Sequence, residues 1–137
     1  MRGISIYMLD NDSRNALKEE YPPQFEKFIG HHVTVKFGAR DTDPEPEHGE
    51  YWVVGYAYEK ERRPNGSGIE ALIVSIKYPH ESRGHTERDD GEVYHITWSL
   101  GAGYTPKDSK RVAKQGWQKR MDPIKINMEP AFMPFNR

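Results

Sequence analysis

The chain has 137 residues, with 20 Lys or Arg against 21 Asp or Glu, and its formal net charge is −1. The length allows one ordinary domain, and the balanced charge excludes a protein-wide basic surface that would hold long duplex DNA. The lack of cysteine excludes disulfide bonds and thiolate metal sites. The sequence has no long apolar stretch and no signal-peptide pattern, so we expect no membrane partner and a cytoplasmic location, the host cytoplasm for a viral protein.

The first part of the chain predicts strands, short helices and an acidic loop. Asp12 or Ser13 is the expected cap of the first helix, because short polar side chains accept hydrogen bonds from the first turn. Pro22 and Pro23 break that helix and are tolerated in the first turn of another. In chain order we predict a strand over 4–9, a helix to about 20, a second short helix over 22–28 and a strand over 31–37.

The rest of the chain predicts more strands than helices. Asn65-Gly66 is a turn signal that favours a hairpin, and Asp108 or Ser109 can cap the last helix. The elements that we predict are strands over 50–60, 69–78 and 93–100, a helix over 109–120 and a final strand over 123–128. Hairpins dominate this order, so the expected fold class is α+β with antiparallel sheet.

Two short stretches of the chain are alike, HHVTVKFG over 31–38 and YHITWSLG over 94–101. Alternate side chains of a strand point to opposite faces. The predicted polar faces are His32, Thr34 and Lys36 in the first copy and His95, Thr97 and Ser99 in the second. The copies lie 63 positions apart (95 − 32), which is close to half the chain and suggests two similar lobes that share a centre.

The paired histidines and threonines fit phosphodiester chemistry. A neutral imidazole can take a proton from the attacking oxygen, and a protonated one can give a proton to the leaving oxygen. Threonine hydroxyls can donate hydrogen bonds to the non-bridging oxygens, where negative charge develops. This reaction requires no metal ion.

HVTV and HITW resemble the paired His-x-Thr/Ser-x signatures of the two-histidine (2H) phosphoesterase superfamily. SLGAGYTPKDSKRV likewise resembles the loop after the second signature in tRNA-ligase-type cyclic phosphodiesterases, which are RNA ligase-like members. The resemblance implies one domain over 1–137, with two pseudo-symmetric antiparallel sheets and flanking helices around a central cleft. It assigns His32 and His95 as acid and base in either order, and Thr34 and Thr97 as the residues that hold the phosphate, with no cofactor or metal.

We therefore expect a metal-independent hydrolase of 2′,3′-cyclic phosphates, on RNA ends or nucleotides, that acts in RNA processing. One alternative is an enzyme that hydrolyses cyclic di- or oligonucleotide defence signals, as some phage 2H proteins do, and another is a binding module for RNA or nucleotides without catalysis. Lys36, Ser99 and Tyr104 are candidate substrate contacts. The six Lys or Arg of KDSKRVAKQGWQKR could form a basic wall for an RNA end.

The other histidines favour ordinary structural roles. His31 begins the first strand and is interpreted as structural. His48, His80 and His85 fall in loops of mixed charge, where solvated side chains are the usual case, and their spacing matches no metal-ligand motif. Nothing in the sequence indicates an oligomeric state.

Overall fold

The computed structural model of the chain describes residues 1–46, 49–62, 66–77, 85–88 and 90–135. Its strands are β1 (Arg2–Leu9), β2 (Lys27–Phe28), β3 (His32–Arg40), β4 (Tyr51–Lys60), β5 (Gly68–Ser75), β6 (His95–Leu100), β7 (Gln118–Ile126) and β8 (Met128–Pro134). The helices of the described residues are α1 (Asn11–Glu20) and α2 (Pro106–Gln115). All pairings between these strands are antiparallel, which confirms the predicted α+β class.

The strands of the described residues form one sheet in the order β7-β4-β5-β6-β3-β1-β8, and β2 also pairs with β6. Long ladders hold the strands on either side of the centre together, for example from Trp52–Ser75 to Lys60–Gly68 between β4 and β5. The contact between β3 and β6 is much shorter and has one register pair, Val33 with Ile96. The sheet is therefore continuous but narrow at its centre, where the two His-Thr strands meet.

The two faces of the sheet have separate apolar clusters. Trp98 lies with Val33, Ile96 and Leu72 on one face, and all four are 0% exposed. The second cluster lies between the other face and α2, which buries Val112 and Ala113 against β4 and β5. The predicted apolar faces of β3 and β6 are confirmed near the centre, where Val33, Ile96 and Trp98 face the first cluster. Farther along the strands Leu100 belongs to the second cluster and Phe37 is 68% exposed, because both ladders contain a register shift.

Both helices begin earlier than predicted. The cap of α1 is Asp10, whose Oδ1 accepts a hydrogen bond from the backbone N–H of Ser13 at 2.7 Å. At α2, Thr105 and Asp108 form a capping box around a proline at the first turn. Gly116, with φ of +143°, ends α2 earlier than predicted.

The predicted helix over 22–28 is wrong. The backbone N–H of Gln24 donates to Glu70 Oε1 at 2.8 Å, and that of Phe25 donates to Ser99 Oγ at 3.3 Å. These buried acceptors hold the segment in an irregular path that ends in β2. Contacts with side chains distant in the sequence therefore override the local proline signal.

The C-terminal segment contains two strands rather than the single predicted one over 123–128. β7 and β8 are the two edges of the sheet. Their prolines, Pro123, Pro130 and Pro134, are compatible with these positions because an edge strand can leave one side of its backbone unpaired.

The predicted hairpin of β4 and β5 is confirmed by their antiparallel pairing. Several predicted features lie outside the described residues, namely Asn65 of the hairpin turn, the strand end at Tyr78, and the loop histidines His48 and His80.

Candidate active site

The two His-Thr strands meet at equivalent positions of their repeat. Val33 and Ile96, which are 63 positions apart, form an antiparallel pair, and both side chains are 0% exposed. Residues next to this pair point to the opposite face of the sheet. The residues so placed are His32, Thr34, His95 and Thr97.

The first copy contains a local irregularity at its histidine that the second copy does not have at His95. The backbone N–H of Gly30 donates to Thr97 O at 3.0 Å, and the next paired residue along the chain is Val33. His31 and His32 are therefore extra residues relative to β6, like those of a β-bulge. Such bulges reorient side chains and are frequent near active sites.

The imidazoles of His31 and His32 are in direct contact. Their Nδ1 atoms are 3.0 Å apart, and the ring planes are at 85°. An N···N hydrogen bond holds one proton, so one Nδ1 donates and the other accepts. The contact uses Nδ1 of His32, so Nε2 is its other ring nitrogen that can donate or accept.

The surroundings of His32 favour its neutral form. The pKa of His32 is lowered from 6.5 to about 4, mainly by burial and to a smaller extent by the positive charges of His31 and His95. The influence of His95 on this pKa agrees with the placement of both imidazoles on one face. His32 is therefore uncharged near neutral pH.

His95 is bound on both sides of its ring. Its Nδ1 lies 2.8 Å from Val93 O, which can only accept, so Nδ1 carries a proton. Its Nε2 lies 3.0 Å from Ser109 Oγ, which is also 2.7 Å from Thr97 Oγ1. Ser109 comes from the first turn of α2 and thus joins the second histidine to the second threonine.

Charged groups on three segments surround His95. Burial is the main cause that lowers the pKa of His95, and the hydrogen bond to Val93 O opposes it. Arg88 and Lys110 lower the pKa further, whereas Glu92 raises it. The pKa of His95 therefore depends on its hydrogen bonds as well as on its burial.

Ser99 is not on the face that the alternation predicts. Ala71 pairs with Thr97 but Glu70 pairs with Ser99, so β6 has an extra residue, Trp98, at this point. The bulge turns Ser99 to the opposite face, where it is 0% exposed and donates to Glu70 Oε1 at 2.5 Å. The predicted place of Ser99 on the face of His95 and Thr97 is wrong for this physical reason, and its role as a substrate contact stays a prediction.

Lys36 and Tyr104 contact residues other than the two histidines and two threonines. Lys36 is exposed and its Nζ lies 3.4 Å from Asp43 Oδ2. Tyr104 packs against the cluster under α2 and interacts with Glu59, near the end of the sheet away from His95. These contacts hold Tyr104 against α2 and β4, and its role as a substrate contact stays a prediction.

Four of the six residues of the predicted basic wall lie on α2 and two, Lys119 and Arg120, lie on β7. Part of the charge on α2 is paired. Arg111 forms two hydrogen bonds with Glu59, at 2.7 and 3.0 Å. Lys114 Nζ lies 3.4 Å from Glu92. Lys110 is near enough to lower the pKa of His95, so this part of the helix lies beside the site.

The sequence interpretation missed Ser109, Arg88 and the role of His31. A signal for Ser109 was present, because it is followed at helical spacing by Val112 and Ala113, and all three are buried on one face of α2. A hydroxyl on an otherwise apolar face needs a hydrogen-bond partner inside the protein. Arg88 had no comparable signal, since it comes from a loop that the residue pattern leaves undefined.

No family model, curated protein or solved structure matches this chain. Neither helix of the described residues has the length and apolar character needed to cross a membrane. Within the same residues, no group of three or more His, Asp or Glu side chains is arranged to hold a metal ion. What the fold and the site define is therefore an α+β protein with two His-Thr strands paired at the centre of an antiparallel sheet.

Proposed function

We propose that this chain is a metal-independent phosphodiesterase of the 2H type that hydrolyses 2′,3′-cyclic phosphates on RNA ends or nucleotides. The observation that carries the proposal is the pairing of Val33 with Ile96, which gives two histidines and two threonines one face. In this proposal the strands on either side of the narrow β3–β6 junction are the two lobes, and the substrate phosphate lies over the junction.

The proposal assigns the general base to His32. A neutral imidazole with Nδ1 in contact with His31 has Nε2 free to remove a proton from the attacking water. This requires His32 to donate its Nδ1 proton to His31, since the other tautomer would place the proton on Nε2. The lowered pKa of His32 supports the assignment, because it keeps the ring neutral at pH 7.

The proposal assigns the general acid to His95. Its Nε2 proton goes to the leaving ribose oxygen as the P–O bond breaks, while the hydroxyl of Thr34 donates to a non-bridging oxygen. Thr97 can donate to the phosphate as well once its hydroxyl turns away from Ser109 Oγ, which lies 2.7 Å from it. Ser109 Oγ already lies 3.0 Å from Nε2. The leaving oxygen therefore has to share this hydrogen bond or replace Ser109 in it.

The test is a phosphodiesterase panel in EDTA with cyclic mononucleotides, RNA ending in a cyclic phosphate, and cyclic dinucleotides. The proteins compared are wild type, His95→Ala and the matched control His85→Ala, whose histidine is outside both paired strands. We expect wild type and the control to open a 2′,3′-cyclic phosphate and His95→Ala to fail. Absence of turnover on every substrate, or activity that needs added zinc or manganese, would refute the proposal.

A nucleotide-binding module without catalysis is the second candidate, and one observation favours it. Both ring nitrogens of His95 have partners within the protein, as expected for a structural histidine. Calorimetry with the same panel separates the two functions. Tight binding of a cyclic nucleotide without turnover, unchanged in His95→Ala, would favour the binding module.

A further inference from the structure

Ser109 is a fully buried hydroxyl with three polar neighbours. It is 0% exposed and lies in the first turn of α2. Its Oγ donates to the carbonyl of Pro106 at 2.7 Å, and it lies 2.7 Å from Thr97 Oγ1 and 3.0 Å from His95 Nε2. A hydroxyl has one proton and two lone pairs, so these three contacts use all of its hydrogen-bonding capacity.

The donors and acceptors of this network determine the state of His95 that fits it. The Pro106 carbonyl can only accept, so it takes the single Ser109 proton. Ser109 Oγ then accepts from Thr97 and from an N–H at Nε2 of His95. Because Val93 O already requires a proton on Nδ1, all these contacts are satisfied together when both ring nitrogens are protonated.

We propose that Ser109 is a positioning residue that holds His95 in its proton-donating form and so gives the two histidines of the site opposite roles. The proposal rests on the proposed phosphodiesterase function for its catalytic meaning, but its physical content is a property of the protein alone. His32 contacts an imidazole at Nδ1, whereas His95 contacts a carbonyl and a hydroxyl. Only the second environment offers two acceptors to a charged ring.

The hydrogen bonds that His95 donates to Val93 O and Ser109 Oγ favour its charged form, against other influences on the ring. Burial and the charges of Arg88 and Lys110 disfavour the imidazolium, and Glu92 favours it. His32 faces His95 from β3, and the charge of His95 lowers the pKa of His32. Hydrogen bonds to a charged group are stronger than those between neutral groups, so the loss of the Ser109 bond should be visible in the titration of His95.

Ser109 also has a second arrangement that suits the reaction. When the leaving oxygen takes the Nε2 proton, the Ser109 O–H can turn from Pro106 O to the unprotonated Nε2. No covalent bond is formed or broken at Ser109 in this step, and the proton that reaches the substrate comes from His95. Water, which attacks phosphorus, gives its proton to His32, so the proton count balances.

The direct test is an NMR titration of the ring nitrogens with ¹⁵N-histidine. The proteins are wild type, Ser109→Ala, the more conservative Ser109→Cys and the matched control Ser75→Ala, whose buried hydroxyl donates to Lys77 O rather than to the hydrogen-bond network of Ser109. We expect His95 of wild type to lose its proton at a higher pH than His32. We expect the His95 midpoint to fall by about one pH unit in both Ser109 variants, the value of one hydrogen bond to a charged group.

Two results of the NMR titration would overturn the proposal directly. A His95 midpoint unchanged in the Ser109 variants, or one below that of His32 in wild type, would overturn the proposal. Circular dichroism and melting check the fold of each variant, and Ser109→Cys keeps the test available if Ser109→Ala does not fold. A shift of the same size in Ser75→Ala would also overturn it, because the effect would then be one of general destabilisation.

Kinetics distinguish failure of this proposal from failure of the proposed function. With a 2′,3′-cyclic phosphate, Ser109→Ala should lower turnover about tenfold and shift the alkaline limb of the pH–rate profile to lower pH. With a nucleoside p-nitrophenyl phosphodiester, whose leaving group needs no proton, the loss should nearly vanish. Inactive wild type refutes the phosphodiesterase, whereas active wild type with an equal loss on both substrates refutes the role of Ser109.

Discussion

The two His-Thr strands have the same four-residue pattern but different surroundings. His32 lies in a bulge, and its Nδ1 contacts the exposed His31. His95 lies in a regular part of β6 under α2, with Val93 O at Nδ1 and Ser109 Oγ at Nε2. The comparison teaches that a repeated motif brings identical groups together, while the elements packed against each copy determine which one holds a proton.

The largest expected effect comes from removing either imidazole. His32→Ala and His95→Ala should each lower kcat/KM for a 2′,3′-cyclic phosphate by about 10²–10⁴, because each removes one proton-transfer partner. The double variant should be little worse than the worse single variant, since the two groups act in one step. Additive losses in the double variant would show that the histidines act independently.

The threonines should differ although their predicted roles are equal. Thr34→Val and Thr97→Val each remove one donor to the phosphate, and a loss of roughly 10–100-fold is expected because the second threonine remains. Thr97→Val should be the more harmful, since it also removes the hydroxyl that lies 2.7 Å from Ser109 Oγ. Equal losses, measured as kcat/KM in EDTA, would mean that the Ser109 network contributes nothing to the phosphate contact.

The lowered pKa of His32 predicts an acid-sensitive fold. The pKa is about 4 in the folded protein against 6.5 for an ordinary histidine, so the unfolded chain binds more protons between these values. The free energy of unfolding should therefore fall as the pH drops from 6.5 to 4. After allowance for partial exposure, His32 should account for about 1–2 kcal/mol of this fall.

The measurement is urea unfolding of wild type and His32→Gln at several pH values. The variant should lose less stability on acidification than wild type. If both curves have the same slope between pH 6.5 and 4, His32 is not held neutral by the fold.

The smallest expected effect is that of replacing His31. This test is specific to the first strand, because the second copy has no histidine at the equivalent position. His31→Phe keeps a ring but removes the Nδ1 contact, so His32 should populate both neutral tautomers and turnover should fall about two- to fivefold. His31→Gln, whose amide can accept the same proton, should restore part of the loss. An effect of His31→Gln as large as that of His31→Phe would indicate a steric role.

Strand alternation was enough to predict the central part of this molecule. The apolar and polar faces of β3 and β6 follow from residues such as Val33 and Ile96, and each copy of the motif points to one side because a strand has a period of two. The spacing of the two copies suggested that they share a centre, and β3 and β6 are indeed neighbours. Their chemical role stays a prediction.

Features set by long-range contacts could not be predicted. The bulge at Trp98 moves Ser99 to the opposite face, and no local pattern marks where such an extra residue falls. The segment before β2 is irregular because Glu70 and Ser99 bind its backbone from distant strands. Ser109 reaches His95 only because α2 packs back on its own strand, which depends on the apolar face of that helix.

The most direct measurement of the central claim, that the two strands supply a base and an acid, is the pH dependence of kcat/KM in EDTA for wild type, His32→Ala and His95→Ala. Wild type should give a bell-shaped profile, with His32 needed neutral and His95 needed protonated. The residual activity of His32→Ala should lose the acidic limb, and that of His95→Ala the alkaline limb. A profile in which both variants lose the same limb, or in which neither limb changes, would contradict the account.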